Sequence, residues 1–276
     1  MQVTINAAKR PPASLVRTLL LHRNYILSNA WQDFLYRYAG TSIGLLWNVV
    51  HPVMMVLVYS IVFTSIMPSR YTAQGLVDLP YVLFLCSALL PWIGFVDGFQ
   101  RTTSTFVENA GYLRKLAVPE EVFLAKAIVG SSILLAINLA VLVVTALVVG
   151  FAPRPTWILV PFVGIMMMAF AFGLGAFFGT LNVFVKDVSQ IVAVVLQLWM
   201  WLTPIVYAYT AMPEWLRTAQ FANPIFPFTE LIRELFLFDQ LGTPLMWLSA
   251  AGWMAVALVS GSTMLRRFRA DLRDVL

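Results

Sequence analysis

The chain has 276 residues, 60% of them hydrophobic and 11% charged, with a formal net charge of +5. A soluble domain carries about 25% charged residues, so this composition excludes an ordinary soluble module and predicts one membrane domain, 1–276, with no separate soluble domain. The lone cysteine, Cys86, excludes an intrachain disulfide and is too solitary for a metal site.

The N-terminal 40 residues mix polar, basic and apolar side chains, and no cleavable signal peptide is expected in them. Within them, residues 15–38 place Leu19, Leu20, Ile26, Leu27, Trp31, Phe34 and Leu35 largely at helical spacing, interrupted by Arg17, Arg23, Asp33 and Arg37. This predicts an amphipathic interface helix, serving either as a membrane anchor or as a surface for a soluble partner.

Six apolar runs follow, at 43–67, 79–99, 122–149, 157–178, 191–207 and 245–265. About 20 apolar residues of helix cross a bilayer, and lipid admits no unpaired backbone. The expected fold is therefore an all-α membrane protein with six transmembrane helices. The connections expected on the N-terminal side hold most of the Lys and Arg. The arm carries Lys9, Arg10, Arg17, Arg23 and Arg37. Arg101, Arg114, Lys115, Lys126 and Lys186 follow, and the tail adds Arg266, Arg267, Arg269 and Arg273. Only Arg70, Arg154, Arg217 and Arg233 fall on the other side. The positive-inside rule then puts both termini in the cytoplasm. This asymmetry explains the net charge without nucleic acid, and such arms also touch anionic membrane lipids.

The first span carries Trp47, His51, Met55, Tyr59 and Phe63 four residues apart. The second carries Tyr81, Phe84, Ala88, Trp92, Phe95 and Phe99 at three-and-four spacing, and the fifth adds Gln197 and Trp201. Each set lies along one helix face. Such rows are either packing and interfacial belts or a path of flat rings along which a sugar chain slides. Asp97, the one acid in a span, sits one turn from Arg101 and reads as an i,i+4 ion pair. No span has an acid or a lysine near its middle, which argues against an ion-coupled secondary transporter.

The 100–121 connection is helix-compatible, with a polar knuckle of Glu108, Asn109, Tyr112, Leu113, Arg114 and Lys115 closed by Pro119. It is either a solvated loop or a docking element for a motor protein. In the fourth span Ala171, Gly175 and Gly179 make a small-residue face for close helix packing. The 208–244 connection is too apolar for a free loop and too broken by Pro213, Pro224, Pro227 and Pro244 to span. It reads as two short helices dipping into the outer leaflet or resting on the spans, one begun by Pro213 and one capped by Thr229. Its apolar members include Trp215, Phe226, Phe228 and Leu235, candidates for an outer gate. The chain has no phosphate-binding loop and no catalytic constellation.

Gly179-Thr180-Leu181-Asn182-Val183-Phe184-Val185-Lys186-Asp187 resembles the turn after span four of ABC-2 type permeases that export polysaccharides. Leu202-Thr203-Pro204-Ile205-Val206-Tyr207 and Asn223-Pro224 follow at the spacing seen there. Gly44-Leu45-Leu46-Trp47 with His51-Pro52 is similar to the family's first span, and Glu108-Asn109 with Leu113 to Pro119 to its coupling region. Lys186 stands where the family more often has arginine, keeping the charge without the fork geometry. The resemblance implies two six-span copies of the chain over two copies of an ATP-binding cassette subunit. ATP and Mg would be bound by that partner, with no cofactor held directly. The implied cargo is a lipid-linked glycan such as O-antigen, capsule or teichoic acid, moved outward across a bacterial inner membrane. Relatives that export drugs or other small amphiphiles give the alternative. The coupling role of the knuckle, the glycan path along Trp47, Tyr59, Phe63, Tyr81, Phe84, Trp92, Phe95, Phe99 and Trp201, and the outer gate are what the resemblance implies for those residues.

Overall fold

The computed structural model describes residues 15–37, 40–66, 71–73, 77–115 and 118–276. The N-terminal segment forms two helices, α1 (Leu15–Leu21) and α2 (Arg23–Tyr36), where one continuous helix was expected. His22 leaves helical geometry at φ −103°, ψ 12°, and its ring nitrogen lies 2.9 Å from Thr18 O. Ile26, Ala30 and Phe34 are buried, so α2 packs on the bundle with one face.

The first span opens on a short 3-10 turn at Gly44–Leu46 and continues as α3 (Trp47–Ile66). Gly44 has a φ of 58°, a left-handed conformation that glycine adopts without a Cβ penalty. A small antiparallel hairpin follows, β1 (Tyr71–Ala73) with β2 (Val77–Leu79), in the register Tyr71 opposite Leu79 and Ala73 opposite Val77. The apolar-run reading gave no sign of it, because three-residue strands are too short for a periodicity to show.

The central helix is α4 (Tyr81–Glu108). In its most apolar stretch 78% of residues are buried within the chain, against 17% in the first span. After Asn109 come α5 (Ala110–Lys115) and α6 (Glu120–Val148). The expected 100–121 connection is thereby corrected: residues 100–108 prolong α4, and 120–121 open α6. Glu120 and Glu121 sit in the first turn of α6, where carboxylates suit the helix dipole, and Arg269 bonds to both.

A 3-10 turn at Pro155–Leu159 leads into α7 (Val160–Phe184). The helix passes the expected end at residue 178 by more than a turn, so most of the 179–187 motif is helical. The turn proper is confined to 185–187, and the side chain of Asn182 closes it by accepting from Ser189 N at 3.0 Å. The next helix, α8 (Val188–Leu202), has 15 residues and rises about 22 Å, short of a bilayer core of about 30 Å. It stops before the expected residue 207 because Pro204 drives Thr203 into an extended conformation, φ −95°, ψ 138°.

The 208–244 segment holds α9 (Glu214–Ala219), α10 (Phe226–Arg233) and a π-helical turn at Glu234–Phe238. Pro213 caps α9. Thr229 is no cap: it lies inside α10, which starts a turn earlier with Pro227 in its first turn, and its hydroxyl donates to Phe226 O at 3.0 Å. The last helix, α11 (Pro244–Val275), begins with Pro244 at N1 and Thr243 accepting from Met246 N, and runs well beyond its apolar part. Among the described residues five helices are long and apolar enough to cross a membrane, and α8 is a shorter apolar one.

Small residues set the closest helix contacts. A Cβ added at Gly175 would strike the Thr102 side chain, and one at Gly179 would lie 2.8 Å from Thr102 O, so this face seats α7 against α4. Ala171 on the same face is fully buried. Gly173 and Gly261 meet where α7 crosses α11, an approach the four-residue spacing of the other three did not reveal.

Candidate functional site

The two aromatic rows take different places. On α3, Trp47, His51 and Met55 are exposed and Tyr59 is half-buried, while the side chain of Phe63 lies outside the described residues. The α4 row is interior. Tyr81 donates to Val206 O at 2.6 Å. Trp92 meets Trp199 edge-on at 6.1 Å, Phe95 stacks on Phe170 at 5.7 Å, and Phe99 tilts against Phe178 at 5.6 Å. None of Tyr81, Phe84, Trp92, Phe95 and Phe99 exceeds 6% exposure. The physical reason is the position of α4, which meets other helices on nearly every side. On α8, Trp199 turns inward while Gln197 and Trp201 face out. Of the ring residues proposed for the path whose side chains are described, those presented at the surface are Trp47, Trp201 and part of Tyr59.

At the end of the bundle away from α1 and α2, polar side chains lock the non-spanning segment in place. Asn223 accepts from Trp199 Nε1 at 2.8 Å and donates to Thr203 Oγ1 and Gln220 Oε1, each at 2.9 Å. Gln220 donates in turn to Leu202 O at 2.8 Å. These bonds absorb the backbone and side-chain polarity that α8 leaves where Pro204 ends it. Trp157 stacks on Phe236 at 4.2 Å and donates to its carbonyl at 2.8 Å. Of the expected gate residues, Phe226, Phe228 and Leu235 are buried and Trp215 is exposed.

Arg233 is the centre of this region, at 1% exposure. It pairs with Glu230 at 2.8 Å, donates to Pro204 O at 2.9 Å and Ile205 O at 3.3 Å, and lies 4.0 Å from the ring centroid of Phe84. Beside it, burial first and the Glu230 charge second push the carboxyl of Glu234 up to about 7. The sequence had placed Arg233 only in the charge count. An arginine one turn past a Pro-Phe-Thr-Glu helix start, in an otherwise apolar stretch, was the available signal.

At the opposite end, the knuckle divides. Glu108, Tyr112, Arg114 and Lys115 are exposed, Asn109 is half-buried, and Leu113 is buried in a cluster with Ile26, Phe106 and Phe123. Asn109 donates to Thr105 O at 2.8 Å and accepts from Lys126 at 3.4 Å. Lys126 also pairs with Asp33 of α2 at 2.8 Å, so one cation joins the N-terminal helix to the knuckle. Asp97 pairs with Arg101 at 3.1 Å, as its i,i+4 spacing implied, and additionally with Arg37 at 3.4 Å. In the middle of α6, Asn138 is fully buried and donates to Leu90 O at 3.0 Å. Among the described residues no group of His, Cys, Asp or Glu is placed to hold a metal ion.

Residues 24–237 match the family model described as ABC-2 type transporter. The chain is similar to an O-antigen export system permease protein RfbA of Klebsiella pneumoniae, 28% identical over 211 residues, which is 75% of this chain and 77% of that protein. It is also similar to an O-antigen export system permease protein RfbA of Myxococcus xanthus, 27% identical over 266 residues, 94% of this chain and 98% of that one. With its apolar helices and a match over most of its length, this multi-pass membrane chain belongs to the ABC-2 type transporter family.

Proposed function

We propose that the protein is the permease subunit of an ATP-driven exporter that moves a lipid-linked, O-antigen-like polysaccharide outward across a bacterial inner membrane. One observation carries this reading: the likeness to the O-antigen export permease of Myxococcus xanthus runs through 94% of the chain. The family assignment supports a separate ATP-binding cassette subunit as the motor, since the chain lacks a phosphate-binding loop. The exposed knuckle residues Tyr112, Arg114 and Lys115, and the α2 helix tied to the neighbouring Asn109 through Lys126, suit its docking.

In this reading α8 and the turn after it complete a sixth crossing, and both termini are cytoplasmic. Two copies face each other across the open sides of α3 and α8, where Met54, Val58, Val194 and Leu198 are exposed. The glycan path then falls to Trp47, Tyr59 and Trp201 on those sides, with the α4 row as the wall behind, and the 208–244 segment gates the exit. Deleting the gene should remove the polysaccharide from the cell surface and leave it accumulating inside. A surface glycan unchanged in amount and chain length would refute the reading.

A further inference from the structure

A groove of about 480 Å³ opens between the N-terminal helices and the spans α6, α7 and α11. Leu19 and Ile26 line it from the N-terminal helices, Ile128 from α6, and Ile165, Met168 and Phe172 from α7. The second half of α2 is fastened to α6. Ala30 O passes close to Gly130, where an added Cβ would lie 3.8 Å from it, and Asp33 pairs with Lys126 at 2.8 Å. The groove lies beside the first half of α2, at Arg23, Ile26 and Leu27. It follows α6 from Ala125 to Ser132, a rise of about 10 Å. Ser132 is the one hydroxyl among its lining residues, and it donates to Ile128 O at 2.8 Å. The groove therefore offers an occupant nothing polar along its length. Ile165 and Met168 belong to the membrane-spanning α7, at a depth that a soluble protein does not reach. What fits there is a hydrocarbon chain.

One cation stands at the edge of this groove. Arg23 opens α2 and is the only charged residue among the lining ones. It is exposed and forms no hydrogen bond or ion pair among the described residues. No acid lies between residues 15 and 32, and the first one, Asp33, is taken by Lys126. The chain thus leaves the Arg23 charge uncompensated beside an apolar groove. A plain hydrocarbon would give that charge no counter-ion, and a soluble anion would leave the groove empty. Leu20 and Leu21, at the end of α1 and close to Arg23 in the chain, are exposed apolar side chains outside the groove. The geometry points to a binding site for an anionic phospholipid, its phosphate at Arg23, one acyl chain in the groove and the other along Leu20 and Leu21. An amphipathic helix gains both from apolar burial and from attraction to anionic headgroups. Here one lipid supplies both and fills the gap beside α2. The lipid is one that stays with the protein, and the inference is independent of what the protein exports.

The test uses the purified, delipidated full chain in detergent and follows bound lipid by native mass spectrometry. The probes are phosphatidylglycerol, phosphatidylethanolamine with the same acyl chains, glycerol 3-phosphate and a long-chain polyprenyl monophosphate. A phosphatidylglycerol with photoreactive acyl chains reports where the lipid sits. Phosphatidylglycerol binds about fivefold more tightly than phosphatidylethanolamine, a difference of about 1 kcal/mol for one basic residue. The photoreactive chain labels residues 125–132 and 165–172. Arg23→Gln brings the two phospholipids to parity. Ala169→Leu, which narrows the groove, weakens both, and the exposed-cation control Arg266→Gln keeps the preference. The inference is overturned if phosphatidylethanolamine binds as tightly, if glycerol 3-phosphate or the single-chain polyprenyl phosphate displaces phosphatidylglycerol at equal concentration, or if Arg23→Gln retains the preference. Label spread evenly over the spans overturns it too. Should either groove variant misfold, as gel filtration shows, the headgroup comparison and the label position on the unaltered chain decide.

Discussion

Replacing Arg233 with methionine keeps most of the side-chain volume and removes the charge from a site that is almost sealed. The side chain is 2% exposed and that of Glu230 16% exposed, so solvent screens neither well. The variant leaves the Glu230 carboxylate without its cation, and Pro204 O and Ile205 O without the donors that reach them at 2.9 and 3.3 Å. It also lifts a guanidinium from the face of Phe84. Breaking a buried pair by removing one partner costs about 3–5 kcal/mol. The carbonyls and the ring contact, worth about 1–3 and 0.5–2 kcal/mol in isolation, are lost in the same event and do not add in full. The expected destabilisation of Arg233→Met is therefore about 3–5 kcal/mol, read from reversible unfolding in mixed micelles. The double variant Arg233→Met with Glu230→Leu removes both charges and should recover a large part of that loss, since apolar replacement of a buried pair is often close to neutral. If Arg233→Met stays within about 1 kcal/mol of the unaltered chain, or if the double variant is no better than the single, the orphaned-charge argument is wrong.

The knuckle separates docking from folding. Tyr112→Ala, at an exposed site, should leave thermal stability within about 0.5 kcal/mol while lowering recovery of the ATPase subunit in a pull-down; full recovery with normal export would remove the docking role. Leu113→Ala, at a buried site, should instead cost about 2–5 kcal/mol of stability, measured by the same unfolding assay. Glu234 predicts a pH dependence. Its carboxyl is raised to about 7 from an ordinary 4.5, so the folded chain holds this proton more tightly than the unfolded chain does. The contribution is complete below about pH 4.5 and is lost as pH rises through about 7. Unfolding profiles of the unaltered chain should show that decline, Glu234→Gln should flatten it, and identical slopes would rule the site out.

What the sequence made legible is local. Run length marked the five helices long enough to cross a membrane and overran the end of α8 by five residues, and the four-residue step from Asp97 to Arg101 marked their pair. The face of a helix was legible only where another face differed from it. Around α4 the residues are apolar on nearly every side, so the row from Tyr81 to Phe99 had the right spacing for a lined path and equally for a core, and periodicity alone could not separate them. The long-range partners were invisible for a related reason. Nothing near Asp97 in the chain names Arg37, 60 positions away, and nothing near Arg233 names Phe84 or Pro204.

Yet polar residues inside so apolar a chain are few, and each has few places to find a partner. Apolar contacts between helices are interchangeable with lipid contacts and specify little. A guanidinium, a buried amide or an acid specifies much, because leaving it unpaired is expensive. Arg233 therefore fixes α10 against the turn after α8, Asn223 fixes that turn against α9, Asn138 fixes α6 against α4, and Asp97 fixes the N-terminal helix against both. The positions at which a mostly apolar sequence spends polarity are the positions that set its helix arrangement.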